Sequence, residues 1–436
     1  MSSNLDLCPM NGESTILLQQ VRIIDSAEAK DWISDVLIVN GQIQLVKTQI
    51  INYPSNTQII PGENLILGTG LVDLYSHSGE PGYEARETLL SLAASAAAGG
   101  FIEVAVLPDT TPCIDNPETL TALQQKVSQL PNITQQPLSQ LNFWTTFALG
   151  QNTKQMSELG ELSSQTIGFT EQLNFSDLFL FKQALEYLQP LKKPIAVDVS
   201  QNQLTNDGFI REGAQSIRYG LLGNPAYSEA SAIAAILEII ASLETPVHIM
   251  RVSTARGVEL IADAKQRGVP VTASTTWMHL LFSTQDQANY NPNLRLEPPL
   301  GNFSDLKALQ QGIKEGIIDA IAIDHQAYTY EEKTVPFALA PPGVIGLELA
   351  LPILWQKLVT TKIISPIQLW QALSLKPRRC LQQKSLSINK SHTSDLILFN
   401  SQKIWQVNIQ NIHSLGANTP WWNQEIIGKV IQWNSL

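Results

Sequence analysis

Between residues 15 and 66, apolar and polar positions alternate in short runs. ILLQQVRIID is followed by DVLIVNGQIQLV, in which Asn40-Gly41 has the composition of a two-residue hairpin turn. This pattern predicts a small sheet. From residue 70 the texture changes to apolar strands followed by segments with helical spacing: LVDLYSH before ETLLSLAASAAAGG, FIEVAVLPD before PETLTALQQKVSQL, and then KPIAVDVS, TPVHIMRVS, VPVTAS and IDAIAID. Repeated βα units imply a parallel sheet, and a run of about 300 residues suits a (β/α)8 barrel better than a doubly wound sheet. After residue 384 the β-like texture returns in SDLILFN, KIWQVNIQ and IIGKVIQW. The chain is therefore expected to hold a barrel over residues 70–383, with residues 1–69 and 384–436 joined in one small β-sandwich-like domain.

Composition narrows the partners. With 44% hydrophobic and 15% charged residues, 436 residues suffice for a large core, and a globular protein is expected. A formal net charge of −11 argues against nucleic acid or an anionic membrane as the main partner. Cys8, Cys113 and Cys380 are odd in number and widely spaced, which fits neither a disulfide framework nor a cysteine zinc site. No basic and apolar leader opens the sequence. The most apolar stretches are broken by Glu238 and by Glu348 and Pro352, so a cytoplasmic protein is expected. No GxGxxG or P-loop points to a nucleotide.

In a barrel, chemistry lies at the C-terminal ends of the strands. Those ends carry Tyr75 and His77, Asp109, Glu171, Asp198, Arg251 and Asp324-His325. Any one of them would serve as a solvated strand cap. Together, each following an apolar run, they point to a shared cavity. The long polar stretches Asn202–Gly213 and Gln285–Pro299 read as loops of that same face. His248, three residues before Arg251 on an alternating strand, is expected on the opposite side in the core, and His279 is expected to serve packing. Asp324-His325 has a second reading as a metal-free acid–base pair.

The segments VDLYSHSGEPGYEARET, LPDTTPCIDNPETL, REGAQSIRYGLLGNPAYSEASAI, VHIMRVSTARGVELI, NPNLRLEPPLG, GIIDAIAIDHQAYTYEEKTVPFALAPPGVIGLE and NTPWWNQEIIGKV occur in an order that resembles the dihydroorotase branch of the amidohydrolase superfamily. The resemblance runs almost end to end. It implies a metal-dependent (β/α)8 barrel with a β domain built from both termini. It also implies zinc held by a His-x-His pair, a bridging carboxylate, two later histidines and an aspartate. Carried over residue by residue, those ligand positions fall on Tyr75, His77, on or beside Glu171, Asp198, Arg251 and Asp324. Asp324 also takes the position of the family's general base. Only His77 and Asp324 keep the family's residue type.

The substrate positions have changed as well. The family's arginine and asparagine, which resemble a clamp for the dihydroorotate carboxylate, fall on Gly79 and Asp109, and a further asparagine falls on Glu297. Two like charges about 4 Å apart repel by about 4 kcal/mol at an effective dielectric near 20, so the clamp is reversed rather than merely lost. Scaffold motifs survive while the chemical positions do not.

The resemblance therefore implies a pseudoenzyme of pyrimidine biosynthesis with no cofactor. The Arg251 guanidinium is expected in the cation's place, paired with Asp198, Asp324 or Glu171, with Tyr75 and His77 completing the network. The partner it suggests is aspartate transcarbamoylase, which in some bacteria needs an inactive dihydroorotase-like chain to hold its oligomer. A homo-oligomer stays open. The rival readings are a dihydroorotase or related cyclic-amide hydrolase with a rebuilt zinc site, and a metabolite sensor.

Overall fold

In the computed structural model the described residues are 14–433, except 152–154, 174–176, 206 and 390. Cys8 lies outside them. The chain opens with β1 (Thr15–Asp25), β2 (Lys30–Val39), β3 (Gln42–Lys47), β4 (Gln58–Pro61) and β5 (Leu65–Thr69). β1 and β2 pair antiparallel with Leu18, Val21, Ile23, Val36 and Ile38 on one buried face, the period-two pattern seen in the sequence.

A single residue, Gly70, separates β5 from β6 (Leu71–Ser76), the first barrel strand. The crossing is clasped by polar groups. Trp370 Nε1 donates to the Thr69 carbonyl at 3.0 Å, and the Ser374 hydroxyl donates to the Gly70 carbonyl at 2.7 Å.

The barrel continues with β7 (Phe101–Val106), β8 (Gln140–Thr146), β9 (Gly168–Leu173) and β10 (Ile195–Val199). A small parallel pair, β11 (Ile210–Arg211) and β12 (Gly223–Asn224), interrupts it before β13 (Val247–Ile249), β14 (Val271–Thr276) and β15 (Ala320–Ala322). β6 to β10 and β13 to β15 form one parallel eight-stranded sheet in sequence order. Its ends meet where the Asp324 N–H donates to the Tyr75 carbonyl at 3.1 Å and the His77 N–H to the His325 carbonyl at 2.8 Å.

Inside, Val72, Leu74, Trp144, Ala196, Ala320 and Ala322 fill the barrel as a packed layer rather than a pore. Outside, the helix Ala226–Leu243 buries Ile233, Ile236, Leu237 and Ile240, an i, i+3, i+4, i+7 stripe, against the core. Among the described residues this is the one helix long and apolar enough to cross a membrane, and it is a barrel helix here.

The chain returns through β16 (Leu396–Gln406) and β17 (Glu425–Ile431). SDLILFN and KIWQVNIQ belong largely to the single strand β16, whose register shifts between Asn400 and Ile404. With β1 to β5 these strands make one mixed seven-stranded sheet, ordered β17-β16-β5-β1-β2-β3 with β4 beside β1. Both termini thus build a single sheet next to the barrel.

Candidate functional site

The strand ends deliver one connected cluster at the barrel mouth. β6 supplies Tyr75 and, just past its end, His77; Asp109 follows β7, Asp198 lies in β10, and Arg251 and Asp324 follow β13 and β15. Arg251 and Asp324 each have φ of 53°, in the left-handed region that non-glycine residues rarely enter. Such a conformation persists where its surroundings over-determine it. On β13, Val247 and Ile249 face the outer core while His248 and Met250 face the barrel interior, so unbroken alternation would send Arg251 outward. The reversed backbone brings it back over the mouth.

There the guanidinium is gripped on every side. Nε and Nη2 donate to the two oxygens of Asp324 at 2.9 and 2.6 Å, a bidentate pair, and Nη1 donates to Asp198 Oδ2 at 2.8 Å. Nη2 also stands 3.1 Å from His77 Nε2. The guanidinium carbon lies 5.3 Å from the centre of the Tyr75 ring, a cation–π contact. The buried Tyr75 hydroxyl accepts the Arg251 backbone N–H at 3.0 Å.

His77 is the second cation. Its Nδ1 lies 2.5 Å from Asp109 Oδ2 and its Nε2 3.3 Å from Asp324 Oδ1. Burial opposes a charged imidazole, yet Asp109 and then Asp324 outweigh it and lift its pKa to about 9. Burial likewise opposes ionisation of Asp324, and the neighbouring Arg251 holds its carboxyl well below the usual range. At neutral pH, Arg251 and protonated His77 therefore face the carboxylates of Asp109, Asp198 and Asp324.

Several expected residues are placed differently. Glu171 does not reach Arg251. Alternation along β9 turns it away from the barrel axis, where its carboxylate accepts hydrogen bonds from the Thr146 hydroxyl and the Ala148 N–H, and burial pushes its pKa up to about 7. Its neighbour Gln172 takes the mouth-facing position. Gly79 borders neither mouth cavity: its loop folds back through a Tyr83 N–H to Gly79 carbonyl bond of 2.5 Å, and a Cβ there would lie 2.4 Å from the Glu87 carbonyl oxygen. His325 points away from Asp324. Its Nε2 lies 3.2 Å from buried Glu87 and its Nδ1 accepts the Gly346 N–H, so the two residues are not an acid–base pair.

His248 and His279 are both buried, as expected. His248 faces the barrel interior by the ordinary alternation of β13, and the expectation that set it opposite Arg251 fails because the strand conformation ends before Arg251. Its Nε2 bonds Ser274 Oγ at 2.8 Å, and Ser274 Oγ lies 3.0 Å from the Tyr75 hydroxyl. Burial lowers its pKa to about 3, so it stays neutral. His279 lines a cavity after a short 3-10 turn, with both ring nitrogens engaged by Thr276 Oγ1 and the Pro298 carbonyl.

Two cavities flank the cluster and share His77, Gln172, Asp198 and Arg251. One, of about 160 Å³, is further lined by Met278, His279, Leu296, Glu297, Gln326 and Val344. The other, of about 290 Å³, is lined by Pro108, Asp109, Thr170, Glu171 and Met250.

Zinc needs about four close ligands in a tetrahedral arrangement. Among the described residues no group of three or more His, Cys, Asp or Glu side chains is disposed to hold a metal. The atoms of Asp198 and Asp324 that would face a cation already accept from Arg251. The residues present do not fit a zinc site.

The loop after Arg251 is pinned by buried Glu229, missed in the sequence because it lies within a helix. It accepts the Thr254 N–H at 3.0 Å, the Thr254 hydroxyl at 2.7 Å, the Ser253 N–H at 3.1 Å and the Ser253 hydroxyl. Glu229→Ala leaves several buried donors unpaired, and a loss of about 2–4 kcal/mol is expected in a denaturant titration.

Residues 64–255 match the family model described as dihydro-orotase-like. A protein of Synechocystis sp. described as a probable dihydroorotase-like protein is 43% identical over 440 residues, covering 95% of this chain and 98% of its own length. The dihydroorotase of Syntrophus aciditrophicus is 32% identical over 420 residues, covering 95% and 96%. Among solved structures, the L-hydantoinase (dihydropyrimidinase) of Arthrobacter aurescens superposes with a TM-score of 0.78 at 19% identity over 95% of this chain and 93% of that one, a likeness of fold. The chain belongs to the dihydroorotase-like family of amidohydrolases, the family of the dihydroorotases of pyrimidine biosynthesis.

Proposed function

We propose that this chain is a non-catalytic dihydroorotase homologue, free of a resident metal, that acts in the cytoplasm as an assembly partner of aspartate transcarbamoylase. One observation carries the first part: the Arg251 guanidinium, held by Asp324 and Asp198 beside His77, lies where the family's metal ligands would converge. A guanidinium neither activates water nor accepts a substrate oxygen as a ligand, so ring opening lacks both its nucleophile and its Lewis acid. The barrel and its motifs nevertheless persist across the chain, which supports a role for the fold itself. The family supplies the partner.

Purified protein supplied with zinc is expected to interconvert carbamoyl aspartate and dihydroorotate no faster than the buffer. Mixed with the transcarbamoylase of the same organism, it is expected to elute with it in one larger peak on size exclusion. Turnover abolished by His77→Ala or Asp324→Ala would instead support a rebuilt catalytic site, and independent elution would remove the assembly role.

A further inference from the structure

We propose that the ledge between β11 and β12 is an interface at which two copies of this chain associate about a two-fold axis. The ledge is the short helix Ala214–Tyr219 with its flanking turns. Its crest is apolar: Ile217 is 83% exposed, and Leu222, Tyr290 and Phe303 are exposed as well. Neighbouring segments bring these residues together. The Tyr219 and Tyr290 rings meet edge-on at 6.2 Å, the Tyr290 hydroxyl donates to the Tyr219 carbonyl at 2.9 Å, and Asn302 Nδ2, one residue before Phe303, donates to the Glu212 carbonyl at 3.0 Å. Scattered apolar side chains are ordinary on a protein surface, whereas a grouped patch marks contact with another macromolecule.

The ledge is set before any partner arrives. β11 and β12 pair in parallel at its base. Buried Arg211 anchors it, donating to the Asn224 carbonyl and Oδ1 at 3.3 and 3.2 Å and to Ser253 Oγ at 2.8 Å. Gly220, with φ of 65°, ends the helix in the left-handed region and turns Leu221 and Leu222 back towards β12. An apolar surface held this firmly loses little conformational freedom on association.

Charge selects the occupant. Glu212 and Arg218 are both exposed, and neither side chain has an ionic or hydrogen-bonding partner among the described residues. They stand three residues to either side of Gln215. A two-fold axis passing at Gln215 therefore sets Glu212 of each copy against Arg218 of the other, so that one contact is made twice. The same operation lays Ile217 over Gly213 and Ala214 of the other copy, where no side chain exceeds a methyl group. A chain with a formal net charge of −11 repels its own copies on average, and in this register two ion pairs offset that repulsion while the apolar crest is buried between them.

Sedimentation velocity of the full chain over a range of micromolar concentrations tests this. The parent is expected to be a dimer, and Ile217→Asp, a change at an exposed position, a folded monomer with an unaltered circular dichroism spectrum. Arg218→Glu alone and Glu212→Arg alone should each weaken association at least about tenfold, because each reversal turns two attractions into repulsions. Mixed in equal amounts, the two variants should associate again, since every facing pair is then of opposite sign. A monomeric parent, a dimer that Ile217→Asp leaves intact, or mixed variants that stay apart would overturn the proposal. So would a parent that is monomeric alone yet loses its hold on aspartate transcarbamoylase when Ile217 is replaced, which would give the face to that partner. None of these outcomes touches the Arg251 pairings, so the non-catalytic reading is judged separately.

Discussion

Arg251→Met is expected to lower folding stability by about 3–5 kcal/mol, the usual cost of removing one partner from a buried ion pair. The side chains involved are only 11% (Arg251), 14% (Asp198) and 16% (Asp324) exposed, so the two carboxylates left behind would gain little from water. The residue also ties three barrel strands together, through Asp198 on β10, Asp324 after β15 and the Tyr75 ring of β6. In urea the midpoint should fall at constant slope, the sign of lost stability without a changed denatured state. Arg251→Lys should fall between the two, because one ammonium cannot bridge both oxygens of Asp324, reach Asp198 and stack on Tyr75 together. Combining Arg251→Met with Asp198→Asn and Asp324→Asn should recover much of the loss, since no uncompensated charge is then buried. A drop below about 1 kcal/mol for Arg251→Met would mean that the guanidinium does not hold the mouth together.

The second large effect depends on pH and belongs to His77. Its pKa is raised in the folded protein from 6.5 to about 9. A raised value means that the folded chain holds the proton more tightly than the unfolded one. The resulting stabilisation is complete below about pH 6.5 and is lost as pH climbs through about 9. The interval corresponds to at most about 3 kcal/mol. Neutral His77 can accept from Arg251 Nη2 at 3.1 Å, which softens the loss. Denaturation of the parent and of His77→Gln at pH 6, 7.5 and 10 isolates the term, because groups such as Glu171, lifted to about 7 by burial, titrate in both proteins. The stability gap should be widest at pH 6 and shrink towards pH 10. A gap that does not change with pH would show that His77 is not charged against Asp109 and Asp324.

Hydrophobic periodicity carried most of the barrel because each strand must bury one face inside and the other beneath helices. β8 escaped notice: QLNFWTT mixes polar residues with Trp144, and the indole N–H is satisfied only by the Leu74 carbonyl across the barrel. The site was legible as a set of strand ends and illegible in its directions. Nothing in VHIMRVS announces that Arg251 leaves the strand conformation, so counting back from Arg251 gives the wrong face for His248. Parity along FTEQ did hold the information that Thr170 and Gln172 share a face and Glu171 takes the other. The His77 to Asp109 pair joins segments distant in sequence, so no local pattern encodes it.

The most direct measurement is a crystal structure of the protein grown with zinc, with anomalous data collected at the zinc edge. No anomalous peak is expected at the barrel mouth, where the Arg251 guanidinium should be found paired with Asp324 and Asp198. A well-occupied zinc between His77, Asp198 and Asp324, with Arg251 displaced, would contradict it.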